Sequence, residues 1–168
     1  MFKFIDKIMN KRDKSIEILT APVDGKVIDI TKVQDKVFSE KIIGDGIAIE
    51  SSGKIFIAPA SGELKVIFET NHAFAMTLEN GIDILVHIGI DTVKLNGEGF
   101  KRLANEGEMV KKGQPIIEID RELIEGGGYS LVTPVLVTNM ESLETIDYCN
   151  LGESVVAGND NVFKIKAK

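Results

Sequence analysis

Short apolar runs separated by glycine, proline, asparagine and aspartate fill the chain from Ile16 onward. The 16 glycines and 4 prolines are spread along this region instead of being gathered in one linker. This pattern predicts an all-β fold, an antiparallel β-sandwich or barrel with a few short helical turns, because these residues end strands and form turns. The predicted strands are 16–20, 26–30, 46–50, 54–58, 63–68, 73–78, 82–88, 115–119, 130–132, 134–138 and 162–166. Helical turns are predicted at 98–104, 120–125 and 140–147.

Two sequence repeats indicate that this fold is duplicated. Residues 21–25, Ala-Pro-Val-Asp-Gly, return as residues 58–62, Ala-Pro-Ala-Ser-Gly, and each segment precedes a predicted strand. Residues 105–113 match residues 150–158 at Asn, Gly, Glu, Val and Gly. Glycines at fixed places suit turns with positive φ, so we interpret these segments as structural repeats without chemistry of their own.

The two histidines of the chain, His72 and His87, lie in apolar runs that flank Asn80-Gly81. Asn-Gly is well suited to a two-residue type I′ turn, so the sequence predicts a β-hairpin in which Phe74 faces His87. In that register the two imidazoles are diagonal neighbours on one face of the hairpin. The same face is predicted to carry the apolar side chains of Phe74, Met76, Leu78 and Leu85.

The opposite face of the hairpin is predicted to be the core side, because it is almost entirely aliphatic. Its side chains are Ala73, Ala75, Thr77, Ile82, Ile84, Val86 and Ile88. The histidine face would then be outer surface, and apolar residues around central polar groups are typical of a docking site, with Phe74 among the docking residues. The alternative is that a second layer covers this face and His87 is a core histidine.

Two imidazoles on an apolar surface favour phosphoryl chemistry. Neutral imidazole is nucleophilic near neutral pH, so one ring could accept a phosphoryl group while the other donates a hydrogen bond to its oxygens. A zinc site is the alternative, but it normally takes three protein ligands, so Asp83, Asp91 or a partner's carboxylate would have to join the histidines. The sequence contains neither Gly-x-Ser-x-Gly nor His-Glu-x-x-His, which argues against the hydrolases that use those motifs.

Composition excludes several other classes of function. A formal net charge of −6 argues against nucleic-acid binding, which relies on basic side chains. The single cysteine, Cys149, rules out an internal disulfide framework and fits a reducing compartment, so we expect a cytoplasmic protein. No apolar run has the length of a membrane span, and the first residues lack the pattern of a secretory signal.

We expect one domain over residues 16–168, preceded by a tail over residues 1–15. Within the tail, residues 2–9 form a basic amphipathic pattern, with apolar residues at helical spacing and lysines elsewhere. This segment could contact an anionic membrane surface as a peripheral anchor, or it could be a disordered tail.

Several segments together resemble the glucose-family enzyme IIA of the bacterial phosphoenolpyruvate:sugar phosphotransferase system. They are residues 67–74, Ile-Phe-Glu-Thr-Asn-His-Ala-Phe, and residues 86–93, Val-His-Ile-Gly-Ile-Asp-Thr-Val. Residues 37–49, residues 97–102, Thr-Pro-Val at 133–135 and Asn139-Met140 also look like this family, so the resemblance covers essentially the whole chain. It implies an antiparallel β-sandwich of the duplicated hybrid-motif type.

The resemblance also implies roles for individual residues. His87 would accept phosphate from the phosphohistidine of HPr and pass it to a cysteine of the IIB domain of a glucose-type sugar permease. His72 would support the transfer, with Thr70 as its hydrogen-bond partner and Asp91 as an acid beside His87. The apolar docking ring would consist of Phe38, Ile42, Ile43, Phe68, Leu85 and Val93.

The sequence thus predicts a phosphotransferase component that acts through a phosphohistidine and needs no cofactor, with zinc at His72 and His87 as the metal alternative. The tail indicates a free-standing protein, although the same module also occurs fused to permease domains. The rival hypothesis is a regulatory binding module that inhibits transporters or metabolic enzymes such as kinases according to its phosphorylation state.

Overall fold

The computed structural model describes residues 13–168, so the predicted amphipathic segment 2–9 and most of the predicted tail lie outside the described residues. Fourteen strands in this part of the chain form the fold. They are β1 (Ile16–Thr20), β2 (Gly25–Asp29), β3 (Asp45–Ser51), β4 (Ile55–Ile57), β5 (Gly62–Ile67), β6 (Ala73–Leu78), β7 (Asp83–His87), β8 (Phe100–Arg102), β9 (Met109–Val110), β10 (Pro115–Ile119), β11 (Val132–Val137), β12 (Leu143–Tyr148), β13 (Ser154–Val155) and β14 (Asn161–Ala167).

Helices are short in the described residues. Two are α-helices, α1 (Lys36–Ser39) and α2 (Arg121–Gly126), and 3-10 turns occur at Ile30–Lys32, Thr92–Leu95 and Met140–Ser142. No helix within residues 13–168 is long and apolar enough to cross a membrane. The predicted all-β class with a few helical turns is therefore confirmed.

The strands form three antiparallel sheets. The largest has eight strands in the order β13-β2-β3-β11-β7-β6-β5-β9, and the smaller sheets have the orders β1-β14-β12 and β4-β10-β8. One large apolar core joins all three sheets, and its largest fully buried side chains include Phe56, Phe74 and Phe163. A second, smaller core lies on the other face of the eight-stranded sheet and includes Phe38, Ala73 and Leu85.

The predicted repeats occupy equivalent positions in two halves of the fold. Gly107 and Gly152 both have a φ of 82°, and their amides donate to the carbonyls of Leu64 and Val27 in β5 and β2. Val110 then pairs with Gly62, as Val155 pairs with Gly25. The repeated glycines therefore close equivalent turns, which confirms the structural interpretation of the repeats.

The hairpin of β6 and β7 exists, but its predicted register is wrong by one residue. Ala73 pairs with His87 and Phe74 pairs with Val86. Gly81 has a φ of 86°, whereas Asn80 does not have positive φ, so the type I′ turn is not formed. Instead the Gly81 amide donates to the Leu78 carbonyl, and the loop has three residues, a type I turn followed by a left-handed glycine.

A one-residue shift exchanges the two faces of a strand pair. Phe74, Met76 and Leu78 are therefore buried in the main core with Ile82, Ile84, Val86 and Ile88. The histidine face carries Ala73, Ala75 and Leu85, of which Ala73 and Leu85 belong to the smaller core. The prediction that Phe74 is a docking residue is wrong, because its side chain is 0% exposed.

Two of the three predicted helical turns are also wrong. Residues 98–104 contain β8, which pairs with β10, and two glycines beside it, Gly97 and Gly99, have φ values of 92° and 87°. Residues 140–147 contain only a 3-10 turn before β12, which pairs with β14. Helix-forming composition is overridden in both segments by strand pairing. The turn predicted at 120–125 is confirmed as α2.

Candidate phosphoryl-transfer site

The loop after β7 fixes the orientation of His87. Gly89 has a φ of 79°, and its carbonyl oxygen lies 2.7 Å from Nδ1 of the His87 ring. A carbonyl oxygen can only accept, so Nδ1 carries the ring proton and Nε2 of the neutral ring has a free lone pair. Thr92 stabilises this loop because its buried hydroxyl donates to the Ile88 carbonyl at 2.6 Å. The loop thus selects the tautomer in which Nε2 is the nucleophilic nitrogen.

His72 lies in the irregular segment that precedes β6. Asn71 has a φ of 61°, so the alternation of side chains along β6 does not extend back to His72. The His72 side chain is 4% exposed, and its Nδ1 lies 2.6 Å from the Thr70 hydroxyl oxygen. The ring of Phe68 meets the His72 ring edge-on, with centroids 5.4 Å apart. Thr70 therefore takes the predicted place as hydrogen-bond partner of His72.

The two imidazoles face each other although the register that predicted their proximity is wrong. Their ring centroids are 5.0 Å apart and the rings are nearly perpendicular, at 80°. Among the described residues no side-chain nitrogen or oxygen is buried without a hydrogen-bond partner. The hydrogen bonds of both rings are made through Nδ1, so neither Nε2 atom is completely buried.

Burial keeps both rings in the neutral state. Desolvation lowers the pKa of His72 to about 4, and the neighbouring His87 contributes in the same direction. Desolvation also lowers the pKa of His87, and it is partly opposed by the Gly89 carbonyl and by the negative charges of Asp35 and Asp91. A neutral His87 can act as a nucleophile at neutral pH, because its lone pair is not occupied by a proton.

Asp35 was not among the sequence-predicted site residues, although it lies close enough to His87 to affect its pKa. It begins α1, where its carboxylate accepts a hydrogen bond from the Val37 amide at 2.9 Å. An aspartate before a short helix is a standard capping pattern and could have located α1 from the sequence. The other acid, Asp91, precedes the 3-10 turn Thr92–Leu95, and its charge raises the pKa of His87 as that of Asp35 does.

The predicted docking ring divides into buried and exposed members. Phe38 is 4% exposed and its ring lies 5.0 Å from the His87 ring, while Leu85 is 7% exposed in the smaller core. Four members are exposed apolar side chains on the loops that flank the two rings, namely Ile42, Ile43, Phe68 and Val93. Phe38 packs against the His87 ring, and the exposed members form an apolar rim that a partner can contact. We use the term apolar rim for these four residues.

The metal alternative requires more ligands than the two histidines. Among residues 13–168 no group of three or more His, Cys, Asp or Glu side chains is arranged to hold a metal ion. The two imidazoles are suitable zinc ligands, but zinc usually takes four ligands in all. Asp83 and Asp91 therefore do not complete a zinc site with the two histidines, and further ligands would have to come from a partner.

Comparisons with known proteins identify relatives of this fold and site. The family described as phosphoenolpyruvate-dependent sugar phosphotransferase system, EIIA 1, matches residues 17–143. The glucose-specific EIIA component of Haemophilus influenzae is 44% identical over 163 residues, covering 96% of this chain and 97% of that protein. The N-acetylglucosamine-specific EIICBA component of Klebsiella pneumoniae is 42% identical over 155 residues, which cover 92% of this chain but 24% of that longer protein.

A solved structure shows the same architecture. The glucose permease IIA of Mycoplasma capricolum superposes with a TM-score of 0.78 at 33% identity, covering 89% of this chain and 95% of that one. The fold, the paired imidazoles and these relatives define a phosphocarrier of a sugar phosphotransferase system. Within that class, the chain belongs to the EIIA 1 family, as the sequence resemblance predicted.

Proposed function

We propose that His87 is the phosphoryl acceptor, that HPr is the donor, and that the IIB domain of a glucose-type sugar permease receives the group. The observation that carries this proposal is the hydrogen bond of 2.7 Å between His87 Nδ1 and the Gly89 carbonyl. It leaves Nε2 unprotonated beside a second imidazole. We also propose a cytoplasmic location, in line with the single cysteine of the chain.

In the proposed reaction, the Nε2 lone pair of His87 attacks the phosphorus of the phosphohistidine of HPr. The new P–N bond forms as the P–N bond of the donor breaks, and the donor imidazole leaves with the electron pair. The Nδ1 proton stays on His87, held by the Gly89 carbonyl. In the second half of the cycle a cysteine thiolate of the IIB domain attacks the same phosphorus and His87 leaves as the neutral ring.

His72 is proposed to stabilise the transferring group. When the Thr70 hydroxyl donates to Nδ1 of His72, the ring proton lies on Nε2, where it can donate to a phosphoryl oxygen. The low pKa of His72, about 4, keeps the ring neutral near pH 7. In this tautomer Nε2 carries the proton, so the ring donates a hydrogen bond and cannot itself attack the phosphorus. Phosphoryl transfer depends mainly on such positioning and charge stabilisation.

The surroundings of the rings are suited to a partner with a basic and an apolar patch. Asp35 and Asp91 place negative charge beside His87 and would attract a cationic side chain of the partner. The apolar rim would then exclude water, which protects a labile P–N bond during transfer. The EIICBA relative supports the IIB prediction, because in that protein an EIIA module shares one chain with other EII components.

Phosphorylation by purified components tests the proposal. The protein is incubated with phosphoenolpyruvate, enzyme I and HPr, and its intact mass is measured before and after mild acid treatment. We expect one acid-labile phosphoryl group on the parent chain and none on His87→Gln. The matched control is His72→Gln, which retains the nucleophile and should still become phosphorylated, more slowly. A phosphorylated His87→Gln protein would show that the acceptor is another residue.

A regulatory role without phosphotransfer is less favoured, because the Haemophilus influenzae and Klebsiella pneumoniae relatives are themselves components of phosphotransferase systems. We also propose that regulated transporters or kinases are further partners. A separate proposal is that zinc is shared between the two histidines and a partner's carboxylate. The zinc proposal is supported by the two accessible Nε2 atoms. It predicts an association that requires the metal, is abolished by a chelator and is lost in both histidine variants.

A further inference from the structure

Arg102 is joined to the segment that carries His72, although it lies in a different sheet. It is the last residue of β8, in the sheet of β4, β10 and β8, whereas β6 belongs to the eight-stranded sheet. Its Nε donates to the Asn71 side-chain oxygen, and its Nη2 donates to the carbonyls of Ile67 and Phe68 at 3.2 and 3.3 Å. One guanidinium therefore contacts three residues of the segment 67–71.

The segment 67–71 has a conformation that needs such support. Asn71 has a φ of 61°, in the left-handed region, which is less favourable for residues other than glycine, although asparagine tolerates it better than most. The turn is closed by backbone bonds from the Phe68 amide to the Ala73 carbonyl and from the Asn71 amide to the Phe68 carbonyl. Phe68 and Glu69 are exposed, so packing contributes little to holding the turn. The Arg102 contacts offset this cost at both ends of the turn.

The turn 67–71 carries the groups that contact His72. Thr70, whose hydroxyl lies 2.6 Å from His72 Nδ1, lies between Phe68 and Asn71, two of the three residues that Arg102 contacts. Phe68, whose backbone carbonyl accepts from Arg102, places its ring against the edge of His72 and belongs to the apolar rim. A displacement of this turn would therefore move the hydroxyl that is hydrogen-bonded to His72 Nδ1.

We propose that Arg102 is a positioning residue for phosphoryl transfer, which fixes the turn 67–71 so that Thr70 keeps His72 in the donating tautomer. This inference rests on the proposed function of His72 and His87. Arginine suits the role because its planar guanidinium offers several donors in fixed directions, whereas the ammonium of lysine is a point charge on a flexible chain. Its strand is itself held by pairing of Arg102 with Ile117 in β10.

The experiment compares Arg102→Gln with a matched control, Arg121→Gln. Arg121 also holds a segment of backbone, through bonds to the Ser51 and Gly53 carbonyls at 2.7 and 3.0 Å. That segment is at the other end of β3 from Asp45 and contains none of the proposed site residues. Both variants lose several hydrogen bonds of the same kind, so a general loss of stability should affect them alike.

Two readouts are measured on the full chain. The first is the rate of phosphoryl transfer from phosphorylated HPr at limiting and at saturating concentrations. The second is the ring-nitrogen NMR spectrum of His72, which distinguishes the two neutral tautomers. We expect Arg102→Gln to lower the saturated rate about tenfold, since modest misplacement of a catalytic group can cost that much or more. We expect its His72 spectrum to move towards a mixture of tautomers, and Arg121→Gln to match the parent in both readouts.

Two further variants separate positioning from folding. Arg102→Lys keeps the positive charge but not the planar guanidinium with its several donors, and it should fail to restore the rate of phosphoryl transfer. Asn71→Gly removes one acceptor of Arg102 while tolerating positive φ, so it should fold and show a smaller change of the same kind. The proposal is overturned if Arg102→Gln retains the parent rate, or if its rate falls while the His72 spectrum is unchanged. A parent chain that accepts no phosphate would instead contradict the proposed function itself.

Discussion

Replacing Gly89 by alanine should destabilise the protein and disturb the tautomer of His87. An added Cβ would lie 2.6 Å from the Ser130 carbonyl oxygen and 2.6 Å from Cγ2 of Thr92. Neither atom can move easily, because the carbonyl accepts from the Ile90 amide at 3.0 Å and Thr92 is fully buried. The substitution therefore forces the loop itself to shift.

The expected cost of Gly89→Ala has two parts. An L-residue at a φ of 79° costs roughly 1 to 2 kcal/mol, and overpacking against fixed atoms adds roughly 1 to 3 kcal/mol. Gly81→Ala is the matched control, since Gly81 has a φ of 86° but an added Cβ would meet nothing within 4 Å. It should show only the first part. The difference between the two variants measures the steric contact, and we expect it near the upper end, about 3 kcal/mol.

Urea unfolding of the two variants measures their free energies of unfolding, and ring-nitrogen NMR reports the tautomer of His87. We expect Gly89→Ala to weaken the bond from His87 Nδ1 to the carbonyl of residue 89 and to slow phosphorylation, while Gly81→Ala retains the parent tautomer and rate. Equal losses of stability in the two variants would refute the steric argument. A parent-like rate in Gly89→Ala would refute the role of the carbonyl.

Three further predictions concern the supporting groups. His72→Ala should slow phosphoryl transfer by a factor that corresponds to roughly 3 kcal/mol, the usual loss for a transition-state hydrogen-bond donor, with little change in HPr binding measured by titration. Ile42→Asp, at a side chain that is 64% exposed on the apolar rim, should weaken HPr binding without unfolding the protein, whereas Leu103→Asp, at an exposed apolar residue outside the rim, should not. The pKa of His72 in the folded protein, about 4, lies below the ordinary histidine value of 6.5, so the unfolded chain binds more protons in this interval and stability should fall as pH is lowered from about 6.5 to about 4. Urea unfolding across that range should show a smaller dependence in His72→Gln, and identical profiles would contradict the shift.

The fold class and the hairpin were predicted correctly from the sequence, but the hairpin register was not. The observed register depends on the contacts of the turn residues. Asn80-Gly81 suits a two-residue turn, yet the Asn80 side chain instead accepts from the Ile82 amide and donates to the Ser15 carbonyl. Those contacts favour the three-residue loop. The contact of Asn80 with Ser15, 65 residues away in the sequence, could not be predicted from the hairpin sequence alone.

The pairing of the two histidines was predicted correctly from a wrong register. In the observed register His72 would point away from His87 if β6 continued as a regular strand. The left-handed backbone of Asn71 and the contacts of Thr70 place the ring beside His87 instead. The family resemblance assigns both histidines to one transfer step whatever the hairpin register, because it reflects long-range contacts that alternation along one strand cannot supply.

The positions of the chain ends bear on how such a module can be joined to other domains. β1 and β14 pair side by side, and Ser15 accepts hydrogen bonds from both Ala167 and the hairpin loop residue Asn80. Both ends of the described chain therefore lie at the loop end of the β6–β7 hairpin. The imidazoles lie at its other end, roughly 20 Å away along the six residues of β6. A tether attached at either end would leave from a place remote from the reacting nitrogens, so a neighbouring domain could be linked there while the phosphoryl-transfer face stays open to partners.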